Sequence, residues 1–267
     1  CGIWGILGPD LPAQRGEQAM RSLANRGPDA TASHVEPGLT LGHLRLAIID
    51  LSSAGAQPMH SACGRYVIVY NGEIYNFAEI RDRIGAEYPW RSHSDTEVIL
   101  AAYIRWGVKC LEYFHGMFAF ALWDRQERKL FVGRDRLGVK PLFFHASNGC
   151  FAFASRPRAL FDLLPSLSRE MDRQALRYYY EAGYIPAPYS VYTSVRKLEP
   201  GHYLTIDATG LSKHRYWTLE HIETDRRLVS ADENELLDEL DELIDRSVQQ
   251  RLVSNVPVGL DVLQRPV

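Results

Sequence analysis

Short strand-forming runs, broken by tight-turn residues, commit the first two thirds of this chain to antiparallel sheet. Leu142 to His145 and Phe151 to Phe153 flank Ser147-Asn148-Gly149, and an Asn-Gly pair tolerates the positive φ that a tight hairpin needs. His202 to Ile206 and Leu211 to Trp217, on either side of Asp207 to Gly210, predict a second hairpin. Tyr66 to Tyr70, Phe118 to Trp123 and Leu130 to Val132 read as buried strands.

Helical patterns lie between these strands without a regular βαβ alternation, which favours α+β layers over a doubly wound sheet. Ser94 and Glu97 have capping-box spacing ahead of an apolar run from Val98 to Trp106 that stops at Gly107. A helix apolar on nearly every face belongs in an interior. From about Glu220 the chain turns polar, and Ser230 with Glu233 repeats the capping pattern. Leu236, Leu237, Leu240, Leu243, Ile244, Val248 and Leu252 then recur at helical spacing, an apolar stripe that needs a partner. The expected boundary divides a domain over 1–212 from a linker and helix over 213–267. There is no internal repeat and no low-complexity segment.

Composition excludes several classes. With 46% hydrophobic and 24% charged residues the chain reads as globular. A formal net charge of −3 supplies no basic footprint for nucleic acid or an anionic membrane. No apolar run is long enough for a bilayer and no charged-then-apolar leader opens the sequence, so the cytoplasm is the expected compartment. Cys1, Cys63, Cys110 and Cys150 lie far apart, without zinc-site pairs, and the nine histidines show no ligand spacing. No metal is expected. An even cysteine count leaves a disulfide open, but reduced thiols are the expectation for a chain this long without a leader. Cys110 and Cys150, in apolar runs, read as small hydrophobes.

Cys1 differs by position. A residue with a free α-amine carries a base beside its own side chain, one that ordinarily titrates at about 7.7–8.0. A thiol there can be activated without a histidine. Alternatively, the numbering merely starts at a cysteine. Asn71-Gly72 is open in the same way. It can be a hairpin turn, yet a primary amide followed by a glycine N–H is also what an oxyanion hole requires. Arg45, in the strand-like stretch Leu44 to Ile49, can sit on an exposed edge or clamp a carboxylate. Asp95 can complement a helix dipole or face a cation.

Taken in order, the motifs are very specific. Cys1-Gly2-Ile3-Trp4-Gly5-Ile6 resembles the start of class II glutamine amidotransferases, which are N-terminal-nucleophile (Ntn) hydrolases. Arg26-Gly27-Pro28-Asp29 resembles the glutamine loop of the asparagine synthetase branch, as do His43 to Asp50 and Gln57-Pro58. Tyr70 to Asn76, Ser94 to Glu97, Gly116 to Ala121 and Gly133 to Gly138 continue the series, and Gly183 to Pro186 and Lys197 to His202 agree with it.

The resemblance implies a four-layer αββα Ntn-hydrolase sandwich, followed by a linker and an amphipathic helix that begins a truncated synthetase domain. It assigns Cys1 as nucleophile, with Asn71 and the Gly72 N–H as oxyanion donors. Arg45 would bind the glutamine α-carboxylate, the backbone of Leu46, Ala47, Ile48 and Ile49 would line the pocket wall, and Glu73 with Asp95 would hold the α-ammonium. Arg134, Asp135 and Arg136 are expected to form a structural charge network, and His43 to be packed rather than basic. Tyr178 to Tyr180 are candidates for covering an interface.

In the family a second domain binds ATP and aspartate, and its entry carries a Ser-Gly-Gly-Leu-Asp-Ser pyrophosphate loop. Here Val256-Pro257-Val258-Gly259 is followed by Leu260-Asp261-Val262 instead. The expectation is therefore a glutaminase needing no cofactor, with ATP and Mg only in the full-length family enzyme. Its partners would be glutamine, an ammonia-using synthetase domain or subunit, and a homodimer copy. Two rivals stand beside this reading: a related amide-forming enzyme with another acceptor, and a non-catalytic binding or regulatory remnant.

Overall fold

The computed structural model describes residues 1–8, 10–147, 149–222, 231–257 and 259. Two six-stranded sheets carry the fold. In the first, β1 (Gly2–Leu7) lies between β3 (Leu39–Arg45) and β9 (Cys150–Ala154). Beyond these are β2 (Ala30–Glu36) on one side, and β8 (Phe143–Ser147) and β10 (Arg196–Lys197) on the other. The second runs in the order β12 (Gly210–Arg215), β11 (His202–Asp207), β7 (Lys129–Arg134), β6 (Gly116–Asp124), β5 (Tyr66–Ile74) and β4 (Met59–His60). All these pairings are antiparallel.

Strand alternation explains the layering. Side chains of successive strand residues point to opposite faces. Ile3, Leu41, Val67, Val69, Ala119, Ala121, Val132 and Phe153 meet in one core between the sheets. The alternate positions Ile68, Tyr70, Phe118, Phe120 and Leu122 pack instead against α2 (Phe77–Ile84), α3 (Asp95–Trp106) and α4 (Cys110–Tyr113). On the opposite outer face, Trp4, Ile6, Ala152 and Ala154 pack against α1 (Ala13–Leu23) and α5 (Pro157–Leu163). The result is the αββα order. A one-residue slip in β5 or β6 would exchange the two faces, so register is strongly specified.

Both hairpins form as read, β8 with β9 and β11 with β12. Gly149 supplies the positive φ of the first, at 75°, while Asn148 lies outside the described residues. The expected boundary between 212 and 213 falls within β12, whose pairing with β11 extends to His202–Arg215.

Several local expectations need correction. Ser94 does cap α3, accepting from the Thr96 N–H at 3.1 Å. Glu97 does not close the box, because its carboxylate takes the N–H groups of Arg91 and Ser92 and the Ser92 hydroxyl. Burial along α3 is complete only to Ala102, and Ile104 surfaces at 42% exposure. α7 (Glu233–Arg251) is capped by Asp232, which accepts from the Asn234 N–H; Ser230 lies outside the described residues, as do Val258 and Leu260 to Val267. No described residue covers the apolar stripe of α7, where Leu237, Leu240, Leu243 and Ile244 are each about half exposed. α6 (Arg173–Ala182) leaves Tyr179 and Tyr180 exposed.

All four cysteines are free; Cys110 is buried, whereas Cys150 is only half-buried and Cys63 is exposed. Arg134, Asp135 and Arg136 are structural, but not as a charge network. Arg134 donates to the carbonyls of Lys140, Leu198 and Gly138, and Arg136 to those of Phe114 and Glu112. Asp135 accepts the N–H groups of Phe118, Leu137, Val139 and Lys140. Each charge thus saturates backbone groups: Arg134 and Asp135 mainly those of the loop after β7, Arg136 those at the end of α4. Among the described residues no helix is long and apolar enough to cross a membrane.

Candidate active site

At one end of the sandwich both sheets contribute to a shared cavity. Cys1 precedes β1 in the first sheet, and Asn71 lies within β5 of the second. Both share the parity of the inward-facing positions Ile3 and Val69. The cavity is lined by Cys1, Arg45, Leu46, Ile48, Ile49, Asn71, Gly72, Glu73 and Asp95. Ala47 does not line it, nor do the four residues of the 26–29 loop.

That loop instead holds the pieces in place. The Arg26 Nε donates to the Cys1 carbonyl at 2.9 Å, and the Asp29 carboxylate accepts from the Ala47 N–H at 2.7 Å. The Asp29 N–H donates to the Arg45 carbonyl at 3.0 Å. Gly27 is required here because a Cβ would lie 2.2 Å from the Leu44 carbonyl oxygen. The wall it braces holds the thiol. Cys1 Sγ lies 3.3 Å from the Leu46 nitrogen and 3.6 Å from its carbonyl oxygen.

The α-amine of Cys1 is not an ordinary one. Burial, aided by the charges of Arg26 and Lys140, lowers its pKa to about 5, against weaker opposition from Asp29 and Glu73. It is therefore neutral at pH 7 and free to accept a proton. His43 is buried, with Nε2 3.2 Å from the Tyr70 carbonyl, and burial lowers its pKa to about 3. It is a neutral packing residue.

Asn71 continues β5 as a paired strand residue opposite Ala119, not as a turn. Its side chain is 1% exposed, and its Nδ2 has no hydrogen-bond partner among the described residues. Leaving a buried donor unmade costs about 1–3 kcal/mol, so such groups in native structures call for an explanation. Gly72 follows with β6 close against it, since a Cβ would lie 2.2 Å from the Met117 carbonyl oxygen.

The charged groups divide by sign. Arg45 donates through Nη1 to the Ser52 carbonyl at 2.9 Å and through Nη2 to the Asp50 carbonyl, which fixes the guanidinium while leaving further N–H groups. Asp95 is fully buried, its Oδ2 accepting from the Tyr70 hydroxyl at 2.8 Å and the Ile74 N–H at 3.0 Å. Burial raises its pKa against those two bonds, and raises that of Glu73, where Asp95 adds to the effect and Lys140 opposes it.

Sequence reasoning missed Gly55 and Lys140 as lining residues, and took Gln57, Tyr70, Ser94, Thr96 and Met117 only as parts of motifs. Gln57 joins β5 to α3, donating to Thr96 Oγ1 at 3.1 Å and accepting from the Tyr70 N–H at 2.6 Å. No periodicity marks Gly55 or Lys140; only their nearness to the motifs Gln57-Pro58 and Gly133 to Gly138 could have found them. Among the described residues, no three His, Cys, Asp or Glu side chains are placed to hold a metal.

The comparisons with known proteins agree on one family. A family model described as a glutamine amidotransferase domain matches residues 1–217. Asparagine synthetase [glutamine-hydrolyzing] 3 of Bacillus subtilis is 34% identical over 97% of this chain and 42% of its own length. Asparagine synthetase [glutamine-hydrolyzing] 1 of the same organism is 32% identical over 97% of this chain and 41% of its own. The chain thus spans less than half the length of these two relatives. Among solved structures, the glutamine phosphoribosylpyrophosphate amidotransferase from B. subtilis superposes with a TM-score of 0.61. It is 20% identical over 82% of this chain and 50% of that one, which speaks to the fold alone. With the αββα layers, this chain belongs to the glutamine amidotransferase domain family, on the Ntn-hydrolase fold.

Proposed function

We propose that this chain hydrolyses glutamine to glutamate and ammonia, and that the ammonia serves amidation of aspartate to asparagine in a larger protein. The single observation that carries the reading is the buried, unpartnered Nδ2 of Asn71 in a cavity shared with the thiol of Cys1.

In the proposed reaction, the neutral α-amine of Cys1 takes the thiol proton, directly or through a water. The thiolate attacks the side-chain amide carbon of glutamine, and the amide oxygen becomes an anion held by Asn71 Nδ2 and the Gly72 N–H. Collapse breaks the C–N bond, the protonated amine returns its proton to the leaving nitrogen, and ammonia departs. Water then cleaves the γ-glutamyl thioester with the same amine as base, releasing glutamate and the thiol. Arg45 takes the α-carboxylate, and Glu73 with Asp95 takes the α-ammonium. A zwitterion needs partners of both signs, and these residues supply them. This step requires no cofactor. ATP and Mg would enter only at the synthetase site of the larger protein, whose ammonia-using domain is the proposed partner, with a second copy of the chain as a further one in a cytoplasmic enzyme.

The direct test incubates the purified chain with glutamine and measures ammonia and glutamate. Equal amounts of both are expected; glutamine binding without release would favour a non-catalytic remnant. Adding aspartate and Mg-ATP to this chain alone is expected to yield neither AMP nor asparagine.

Arg45→Ala is expected to raise KM for glutamine by roughly 10²-fold while kcat changes little. An ionic clamp on a non-reacting carboxylate acts alike in ground and transition states. Steady-state kinetics decide, and an equal loss confined to kcat would remove the clamp assignment.

The pH dependence follows from the amine. Its protonated form cannot accept the thiol proton, so kcat/KM should be constant above neutrality and fall as pH drops through about 5. An ordinary α-amine would place that fall near 8. Protonation of Glu73 and Asp95 at low pH should appear separately, as a rise in KM. A kcat/KM midpoint near 8 would rule out the lowered pKa of the buried amine.

A further inference from the structure

The segment that follows α7 returns to the glutamine cavity from outside. The Asn255 N–H donates to the Ile48 carbonyl at 2.9 Å, and Asn255 Oδ1 accepts from the Asp50 N–H at 2.8 Å. Four residues earlier, the Arg251 guanidinium lies 4.9 Å from the centre of the Tyr75 ring, two positions beyond Glu73. The segment therefore meets both the Ile48 backbone, which lines the cavity, and Tyr75, just past the end of β5 that carries Glu73.

The 48–52 turn that it grips is tightly determined. Asp50 has a φ of 49°, a left-handed conformation that a non-glycine residue holds only where its surroundings impose it. Its Oδ1 accepts from the Ser52 N–H and hydroxyl at 3.1 and 2.5 Å, and its Oδ2 from the His93 N–H at 2.8 Å. Its carbonyl, with that of Ser52, holds the Arg45 guanidinium. The outer clamp on Asp50 and the inner clamp on Arg45 thus share one peptide turn.

We propose that Asn255 is a positioning residue for glutamine binding: by holding the 48–50 backbone it fixes the carbonyls that aim Arg45, so that the segment after α7 sets the affinity of the pocket. This rests on the reading of Arg45 as the carboxylate clamp. It also gives whatever follows residue 255 a mechanical handle on the glutaminase site.

The test uses the full chain with Asn255→Ala and Asn255→Asp. Loss of one such hydrogen bond is expected to raise KM for glutamine roughly three- to tenfold in Asn255→Ala, with kcat within about twofold. The amide of Asp50, deprived of its acceptor, should exchange with solvent faster. Asn255→Asp keeps an oxygen in reach of the Asp50 N–H and should restore both values towards those of the unmutated chain. A purely structural residue would lower the folded fraction without this split or this rescue. Absence of ammonia release from the unmutated chain overturns the functional reading and this proposal with it. Release with an unmoved KM in Asn255→Ala, an equal rise in Asn255→Asp, or unchanged exchange at Asp50 overturns this proposal alone.

Discussion

Cys1→Ala is expected to bring glutamine hydrolysis down to background, a loss of about 10⁴-fold or more, as removal of a covalent nucleophile does. The fold should survive, because among the described residues the sulfur makes just two long hydrogen bonds, both to Leu46. No other thiol can substitute. Cys110 is buried, with burial pushing its pKa up, and neither Cys63 nor Cys150 lines the cavity. Ammonia release, with circular dichroism as the fold control, gives the answer. A rate near that of the unmutated chain would end the nucleophile assignment. An extra residue placed ahead of Cys1 should be nearly as damaging, since it converts the basic amine to an amide.

Asn71→Ala is expected to lower kcat by about 10²–10³, the usual cost of losing one oxyanion donor, with a much smaller change in KM. The structure gives the reason for this asymmetry. Asn71 Nδ2 is buried without a partner, so the folded chain already bears the cost of drying that donor before any substrate arrives. Its return comes only when negative charge develops on the amide oxygen. Thermal stability should therefore fall far less than activity does. An effect confined to KM would make Asn71 a ground-state contact, and a collapse of the melting temperature would make it a packing residue.

These two residues also show what the sequence could and could not disclose. Strand periodicity located β5 through Tyr70 and stopped there, because Asn71, Gly72 and Glu73 interrupt the apolar alternation. The strand nevertheless continues to Ile74 along β6. The site sits where local hydrophobic patterning was given up for chemistry, so the pattern ended at the functional residues. Glu97 failed the capping-box expectation for a related reason: its partners lie in the preceding loop, and nothing in the helix signal could show them. Lys140 and Gln57 reach the cavity from segments remote in the chain, a placement that only the sheet topology creates. The four-layer order came from the family resemblance; the residues themselves showed β5 and β6 as buried strands, because their apolar side chains fall on both faces of the second sheet and only packing on both sides can bury them.

The position of β1 bears on how the chain matures. It is an interior strand of its sheet, yet one neighbour, β9, lies more than a hundred residues later in the sequence. At about 5–20 residues per second, a ribosome needs roughly 5–20 s to supply it after β3 has been made. During that interval the segment around Cys1 lacks half of its enclosure. The burial that depresses the amine cannot yet operate, and Asn71 has no finished layer to face. A chain still short of β9 thus carries an ordinary cysteine at position 1, and the reactive one is created by the closing of the sandwich.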